Sequence, residues 1–478
     1  MKFNVAALIS AAMAFGNVPT ARAAGAVSLL PAPNATDVCP DAPLRIHFPT
    51  PPTVATTGKI EIDDAATHAA VESIDLSQRT AQQTIGGLPH FTYYPVIVGG
   101  NDVTIFPRDH ALDYGKTYAV KIDAGALGHG TPTDWQFKTK AAPPATGTTN
   151  LTVAVDGTGD FATVQGALDF IPDGNTTPTT ITIKPGTYTE LVYVANKNGV
   201  TLAGAGPTQT VIEYANNNKF NTATDQGTYH RGVFLARHCA DLVLKDLTIR
   251  NTTPQGGSQA EAIILNGTLH ARAILSHVNL YSYQDTLQIN GQAYVNKCDI
   301  EGDVDFMWGS GPVFFEDCIC KGLRSKAYYT QIRNSEKNHG FVYYHCTFDA
   351  ANGVKDIFLA RIDPARFGHS EVVLVNCAIA GESVSPVAWK LDAPKGKPVG
   401  DVAAAAGDVH FWEYNSHDPE GKPVDTSNRL SISKQLTPLA DSRTIADYSN
   451  PAYVLGGWNP RDAAALLELP TTKPDPHP

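Results

Sequence analysis

Beyond its first two dozen residues the sequence contains no run of about 20 apolar residues, so no later segment is built to cross a bilayer as a helix. It also lacks a basic excess: 36 Lys and Arg stand against 47 Asp and Glu, giving a net charge of −11. Nucleic acids and anionic membranes are met by basic surfaces, so neither is an expected partner. A neutral or partly charged polymer remains acceptable. No paired Cys-x-x-Cys or His-x-x-x-His spacing is present, which argues against a zinc site, and no feature calls for a cofactor. The cysteine count is seven, so at least one thiol is unpaired or pairs between chains even in an oxidising compartment. Nothing fixes the oligomeric state, and a monomer is the working expectation.

What is present is enough apolar material for a large core. At 478 residues and 42% hydrophobic the chain should form two folded units rather than one. Lys2, the apolar run Val5 to Phe15 and Ala21-Arg22-Ala23 have the charged, apolar and small-residue order of a signal peptide covering residues 1–23. The mature protein is therefore expected to be exported, either to the periplasm or outside the cell. Residues 26–140 hold short alternating segments between Pro, Gly and Asp turns, such as Lys59-Ile60-Glu61-Ile62 and Tyr118-Ala119-Val120-Lys121-Ile122, which describes a small β-sandwich. With Pro31 to Asp37 and the closing Trp135-Gln136-Phe137-Lys138-Thr139, the segment resembles the immunoglobulin-like modules that precede many exported bacterial enzymes. Residues 141–150, with Pro143, Pro144 and Gly147, read as a linker.

The remainder, residues 151–465, carries a repeat. After one amphipathic helix, in which Val164, Ala167, Leu168 and Ile171 share a face, comes a recurring four-residue phrase. Its instances are Asp246-Leu247-Thr248-Ile249, His277-Val278-Asn279-Leu280, Lys297-Cys298-Asp299-Ile300, Asp317-Cys318-Ile319-Cys320, His345-Cys346-Thr347-Phe348 and Asn376-Cys377-Ala378-Ile379. The second positions are 31, 20, 20, 28 and 31 residues apart. One strand per variable repeat signals a solenoid whose length changes fall in loops, and a right-handed parallel β-helix fits best. The helix would cover its open N-terminal end. Four of the thiols, Cys298, Cys318, Cys346 and Cys377, then stand in for aliphatic residues in an interior stack. Neighbouring coils lie roughly 4.8 Å apart, so a bridge such as Cys298 to Cys318 is geometrically open.

Asp285 follows Val278 by seven residues and Asp305 follows Cys298 by seven, so the two carboxylates should stack on adjacent coils. Two carboxyls that close do not both ionise cheaply, which leaves an acid beside an anion. The bland alternative is a ladder of solvated Asp residues at coil corners. Gln259 and Gln284 on neighbouring coils, the aromatic Trp308 and Arg361 from a later coil weigh against it.

From Leu151 to about Pro460 the chain also resembles the pectin methylesterase family, at motif after motif in the family's order. The opening Val153-Ala154-Val155-Asp156-Gly157-Thr158-Gly159-Asp160-Phe161 is followed by Gly186-Thr187-Tyr188-Thr189-Glu190, then Gln259-Ala260-Glu261-Ala262 and Gln284-Asp285-Thr286-Leu287. Asp305-Phe306-Met307-Trp308-Gly309 and Glu413-Tyr414 complete the set. The resemblance implies hydrolysis of methyl esters of pectin, that is of methylated polygalacturonate. Asp305 would attack the ester carbonyl, Asp285 would serve as acid and then base, Gln259 and Gln284 would donate to the oxyanion, and Arg361 would hold Asp305 ionised and oriented. Glu190 and Glu413 read as structural, turn-capping carboxylates.

Two departures bear on substrate binding. The family usually follows its Arg with Pro-Trp, whereas this chain has Arg361-Ile362-Asp363-Pro364, and Gln288 stands where an aromatic is common. Trp308 supplies an aromatic at the equivalent position one coil later. Trp308, Gln288 and Asp363 are the expected groove residues, with Asp363 favouring highly methylated substrate by repelling free carboxylates. Three other readings stay open on the residues alone: an esterase for another carbohydrate ester, a β-helix glycoside hydrolase, whose retaining chemistry also uses two close carboxylates, and a non-catalytic wall-binding protein.

Overall fold

The first residue of each repeated phrase sits in the left-handed region of backbone space. Asp246, His277, Lys297, Asp317, His345 and Asn376 have φ between 51° and 57°. A single left-handed residue turns the chain sharply, and Asp and Asn tolerate it better than most side chains. The residue that follows, Leu247, Val278 or one of Cys298, Cys318, Cys346 and Cys377, points inward and is at most 1% exposed. The phrase thus opens on a corner of the coil: at Lys297, Asp317, His345 and Asn376 it separates two strands, and at Asp246 and His277 it bends a single ten-residue strand.

Repetition of that corner builds the solenoid in the computed structural model, which describes residues 27–128, 134–222, 229–393 and 407–461. The expected signal peptide, residues 1–23, lies outside the described residues. Strands from successive coils pair in parallel, forming a 17-stranded array and an 8-stranded sheet. Register is continuous across coils, with Leu247 opposite Val278, Asn279 opposite Asp299, Asp299 opposite Ile319 and Ile319 opposite Thr347. This is the right-handed parallel β-helix expected from the repeat. All seven cysteines are free and buried, so the stacked thiols act as core residues and the open possibility of a bridge is not realised. Among the described residues no helix is long and apolar enough to cross a membrane.

The helix Val164–Phe170 packs on the first coil. Its N-terminal N–H groups, which no helical carbonyl can satisfy, are taken by three side chains. Thr163 Oγ1 accepts from Gly166 at 3.0 Å, and the two Glu190 oxygens accept from Val164 and Gln165 at 2.9 and 3.0 Å. Asp41, from the N-terminal unit, accepts from Ala162 and Thr163 at 3.0 and 2.8 Å.

That N-terminal unit consists of a four-stranded and a five-stranded sheet around a separate core that includes Ile46, Ile62, Val120 and Phe137. It does not stop at the linker. The hairpin Ala81–Ile85 and Leu88–Tyr93 leaves these sheets, and Ile85, Leu88, Phe91 and Tyr93 join the solenoid core instead. Phe91 meets the ring of His230 edge-on at 4.8 Å, and Asn221 exchanges hydrogen bonds with both backbone groups of Thr92, at 2.7 and 3.0 Å. Alternation alone does not reveal this, because a hairpin packed on a neighbour alternates like one packed on its own sheet.

The contact encloses a cavity of about 70 Å³ lined by Asp41, Arg45, Asp109, Gln165 and Glu190, among others. Burial pushes Asp109 up to about 7, helped by the charge of Asp169, and pushes Glu190 up to about 8 against its two N–H donors. Asp41 is raised by burial as well. A carboxyl with a raised folded-state pKa holds its proton more tightly folded than unfolded, so its stabilising effect is complete below about pH 4 and is lost as pH rises through the folded value. Thermal unfolding followed from pH 5 to pH 8.5 should show the transition falling, and Asp109→Asn should flatten part of that fall. A transition independent of pH over this range would contradict it.

Candidate active site

The 8-stranded sheet carries the site on one face. Leu287–Ile289 pairs with Val304–Gly309 so that Leu287 faces Met307 and Gln288 faces Trp308, and a bridge joins Gln284 to Val304. Asp285 and Asp305 are therefore equivalent residues of adjacent coils. Both adopt the left-handed conformation, with φ of 66° and 48°. Two such residues side by side store strain that a plain strand would avoid, a feature concentrated at functional sites. Close approach of the coils is kept by Gly309, where a Cβ would lie 1.9 Å from the Ile289 carbonyl oxygen.

Asp305 is held on three sides. Arg361, on the strand Phe358–Ile362, donates from Nε to Oδ1 at 2.9 Å and from Nη2 to Oδ2 at 2.6 Å, a two-pronged clamp. The amide of Gln331 donates to Oδ2 at 3.2 Å. Arg361 is itself placed by Asp392, 3.2 Å from Nη1, and by the face of Tyr328, 4.4 Å from its guanidinium carbon.

Asp285 has a different environment. Its carboxyl is 12% exposed and accepts from Arg231 Nη2 at 3.1 Å. Burial raises its pKa well above the ordinary carboxylate value; the neighbouring charge of Glu261 and, less strongly, that of Asp305 add to this, while Arg231 and Arg333 oppose it. One carboxylate is gripped by a cation along both oxygens, and its neighbour is placed to carry a proton. Unequal environments of this kind separate a nucleophile from an acid.

Gln259 and Gln284 lie half-buried on successive coils, linked by the Ala260 N–H donating to the Gln284 carbonyl at 3.1 Å. The side-chain oxygen of Gln259 accepts from Ser258 Oγ at 3.0 Å. Of the expected groove residues, Gln288 is 4% and Trp308 8% exposed, and Arg333 covers the Trp308 ring at 4.8 Å. Asp363 caps a turn through the Ala365 N–H at 3.1 Å. Glu413 is fully buried among Arg429, Ser416 and Trp389, and so, like Glu190, it is structural.

Sequence reasoning passed over Arg231, Glu261, Gln331 and Arg333. Glu261 had a visible signal: it is the charge in the otherwise small and apolar run Ala260-Glu261-Ala262-Ile263-Ile264-Leu265, and it is fully buried. Arg231 had none, since an Arg ahead of a strand is ordinarily solvated.

The sequence model of the family described as Pectinesterase matches residues 150–453. Pectinesterase 31 of Arabidopsis thaliana is 31% identical over 219 residues, covering 44% of this chain and 68% of that protein. Pectinesterase QRT1, also of Arabidopsis thaliana, is 30% identical over 302 residues, covering 60% of this chain and 73% of that protein. Among solved structures, a pectin methylesterase from carrot aligns with a TM-score of 0.56 at 23% identity, over 70% of this chain and 99% of that one. Pectin methylesterase PemA from Erwinia chrysanthemi aligns with a TM-score of 0.52 at 22% identity, over 65% and 98%. At these identities the two structures speak for the fold alone.

Proposed function

The chain belongs to the pectinesterase family, which makes it a carboxylic ester hydrolase acting on the methyl esters of pectin, and from that premise we propose how its own residues perform the hydrolysis. An Asp305 oxygen attacks the ester carbonyl. The oxyanion that forms is met by the amides of Gln259 and Gln284, whose donors are oriented before charge develops, a contribution of about 3 kcal/mol per donor. Asp285 passes its proton to departing methanol, leaving an acyl-enzyme anhydride on Asp305. Asp285, now a base, takes a proton from water as the water attacks that carbonyl, and Asp305 and a free galacturonate carboxylate are released.

The observation that carries this assignment of roles is the asymmetry of the two aspartates. Arg361 grips both oxygens of Asp305, while Asp285 is buried beside Glu261. An acyl-transfer site needs one carboxylate aimed and one protonated, and neutral amides beside them suit an oxyanion. We further propose that the mature enzyme is exported and acts as a monomer, and that residues 26–140 form an immunoglobulin-like accessory module.

Highly methylated pectin incubated with the purified protein should yield methanol with no gain in reducing ends. Reducing ends appearing in step with turnover would replace this reading with glycosidic cleavage. Absence of both products would point to a different ester.

A further inference from the structure

Glu261 brings a third carboxylate to the site, and the scheme above leaves it unused. It lies two residues beyond Gln259, at the entry to the strand Ile263–Asn266, and its side chain has no solvent exposure. Arg231 donates to its Oε1 from Nε at 3.0 Å and from Nη2 at 2.5 Å. The same Nη2 reaches Asp285 Oδ2 at 3.1 Å, so one buried guanidinium is shared between Glu261 and the acid. The Trp308 ring stands 5.7 Å from the Arg231 guanidinium carbon and helps keep water from the pair. Burial raises the pKa of Glu261, and the charge and hydrogen bonds of Arg231, with a smaller contribution from the Trp308 side chain, oppose that rise and favour its anion.

This arrangement answers a problem that a lone cation would create. A buried Arg strongly favours the charged form of any carboxylate it touches. If Asp285 were the sole anionic partner of Arg231, it would settle as the carboxylate and have no proton to give to methanol. Glu261 takes two of the guanidinium bonds and supplies the compensating charge, and its anion sits close enough to disfavour a second one on Asp285. We propose that Glu261 is a positioning residue that neutralises Arg231 and thereby keeps the proton on Asp285 for methanol departure. Arg231 then orients Asp285 without ionising it. The charged groups facing Asp285 are Glu261, Arg231, Asp305 and Arg333, and the first two form the adjustable pair. The inference rests on the role given to Asp285 above.

The test is the pH dependence of kcat/KM for methanol release, with spontaneous saponification subtracted, for the wild-type protein, Glu261→Gln and Arg231→Met, each checked for fold by circular dichroism. The alkaline limb of such a profile reports the essential acid of the free enzyme. Removing the Glu261 charge leaves Arg231 to Asp285 alone, so the limb should move down by about one pH unit or more, roughly a tenfold or greater loss at the alkaline end with little change on the acid side. Removing Arg231 should move it upward. Opposed shifts are the signature, and a purely structural pair would instead lower activity at every pH with the limb in place, which overturns the inference. If one variant does not fold, the direction of the limb in the other decides. Methanol release by the wild type with unmoved limbs sinks this inference alone, whereas a wild type that releases none sinks the underlying assignment with it.

Discussion

Asp305→Ala should remove methanol release almost entirely, a loss of about 10⁴-fold or more in kcat, because the proposed nucleophile is gone and binding and the oxyanion donors alone give a far smaller acceleration. Two effects of the substitution have to be separated. Asp305 has a φ of 48°, and an alanine in that region is strained by roughly 1–2 kcal/mol. Arg361 would also lose both of its bonds to the carboxylate. Asp305→Asn keeps the shape and tolerates the same backbone, so it avoids the strain of alanine; having lost the charge that pairs with Arg361 it should fold but melt below the wild type, and still be inactive. If the Asn variant retained more than a few per cent of the wild-type rate, Asp305 could not be the nucleophile.

The second large effect is expected at Arg361. Its side chain is 26% exposed and that of Asp305 10%, so water screens the pair only in part. Arg361→Met leaves the Asp305 carboxylate without its clamp and frees Asp392 and the Tyr328 face as well. A stability loss of about 2 kcal/mol is expected, below the 3–5 typical of fully buried pairs. The rate should fall by about 10²–10³-fold, since the attacking oxygen is no longer aimed. Arg361→Lys discriminates between charge and geometry. A lysine restores the charge as a point but not the fork that binds two oxygens in one plane, so it should recover most of the stability and little of the rate. Full recovery of activity by lysine would show that charge alone suffices. Calorimetry and initial rates on the three proteins decide the matter.

The solenoid was legible in the sequence because its signal repeats. The thiols at 298, 318, 346 and 377 mark the same inward position four times, and each recurrence adds weight to the register that the paired strands display. The spacing of Asp285 and Asp305 from that position placed them on adjacent coils, since equal offsets from equivalent corners end at equivalent sites. The approach of Arg361 to Asp305 has no such basis. The two residues are 56 positions apart with unequal loops between them, and only the family's order of motifs linked them. Arg231 and Gln331 were invisible for the same reason, because side-chain pairing across coils leaves no period. Phe91 and Tyr93 misled in another way, since they fill the core of a neighbouring unit with the pattern of an ordinary strand.

The hairpin that carries those two residues has a consequence for how the protein is made. Synthesis runs from the N-terminus, so residues of the sandwich and its hairpin are made before those of the first coil. The first coil can then fold against an apolar hairpin that precedes it in the chain, with Asp41 receiving the N–H groups at residues 162 and 163 in the finished structure. A solenoid can nucleate on any pair of neighbouring coils, and its stability accrues through contacts between neighbours. A ready-made end biases that freedom toward growth in one direction, from the hairpin toward the carboxyl terminus. A catalytic segment expressed without residues 26–140 would lose this starting template and expose the surface that Phe91 and Tyr93 cover, so the boundary suggested by the linker is not a natural place to cut.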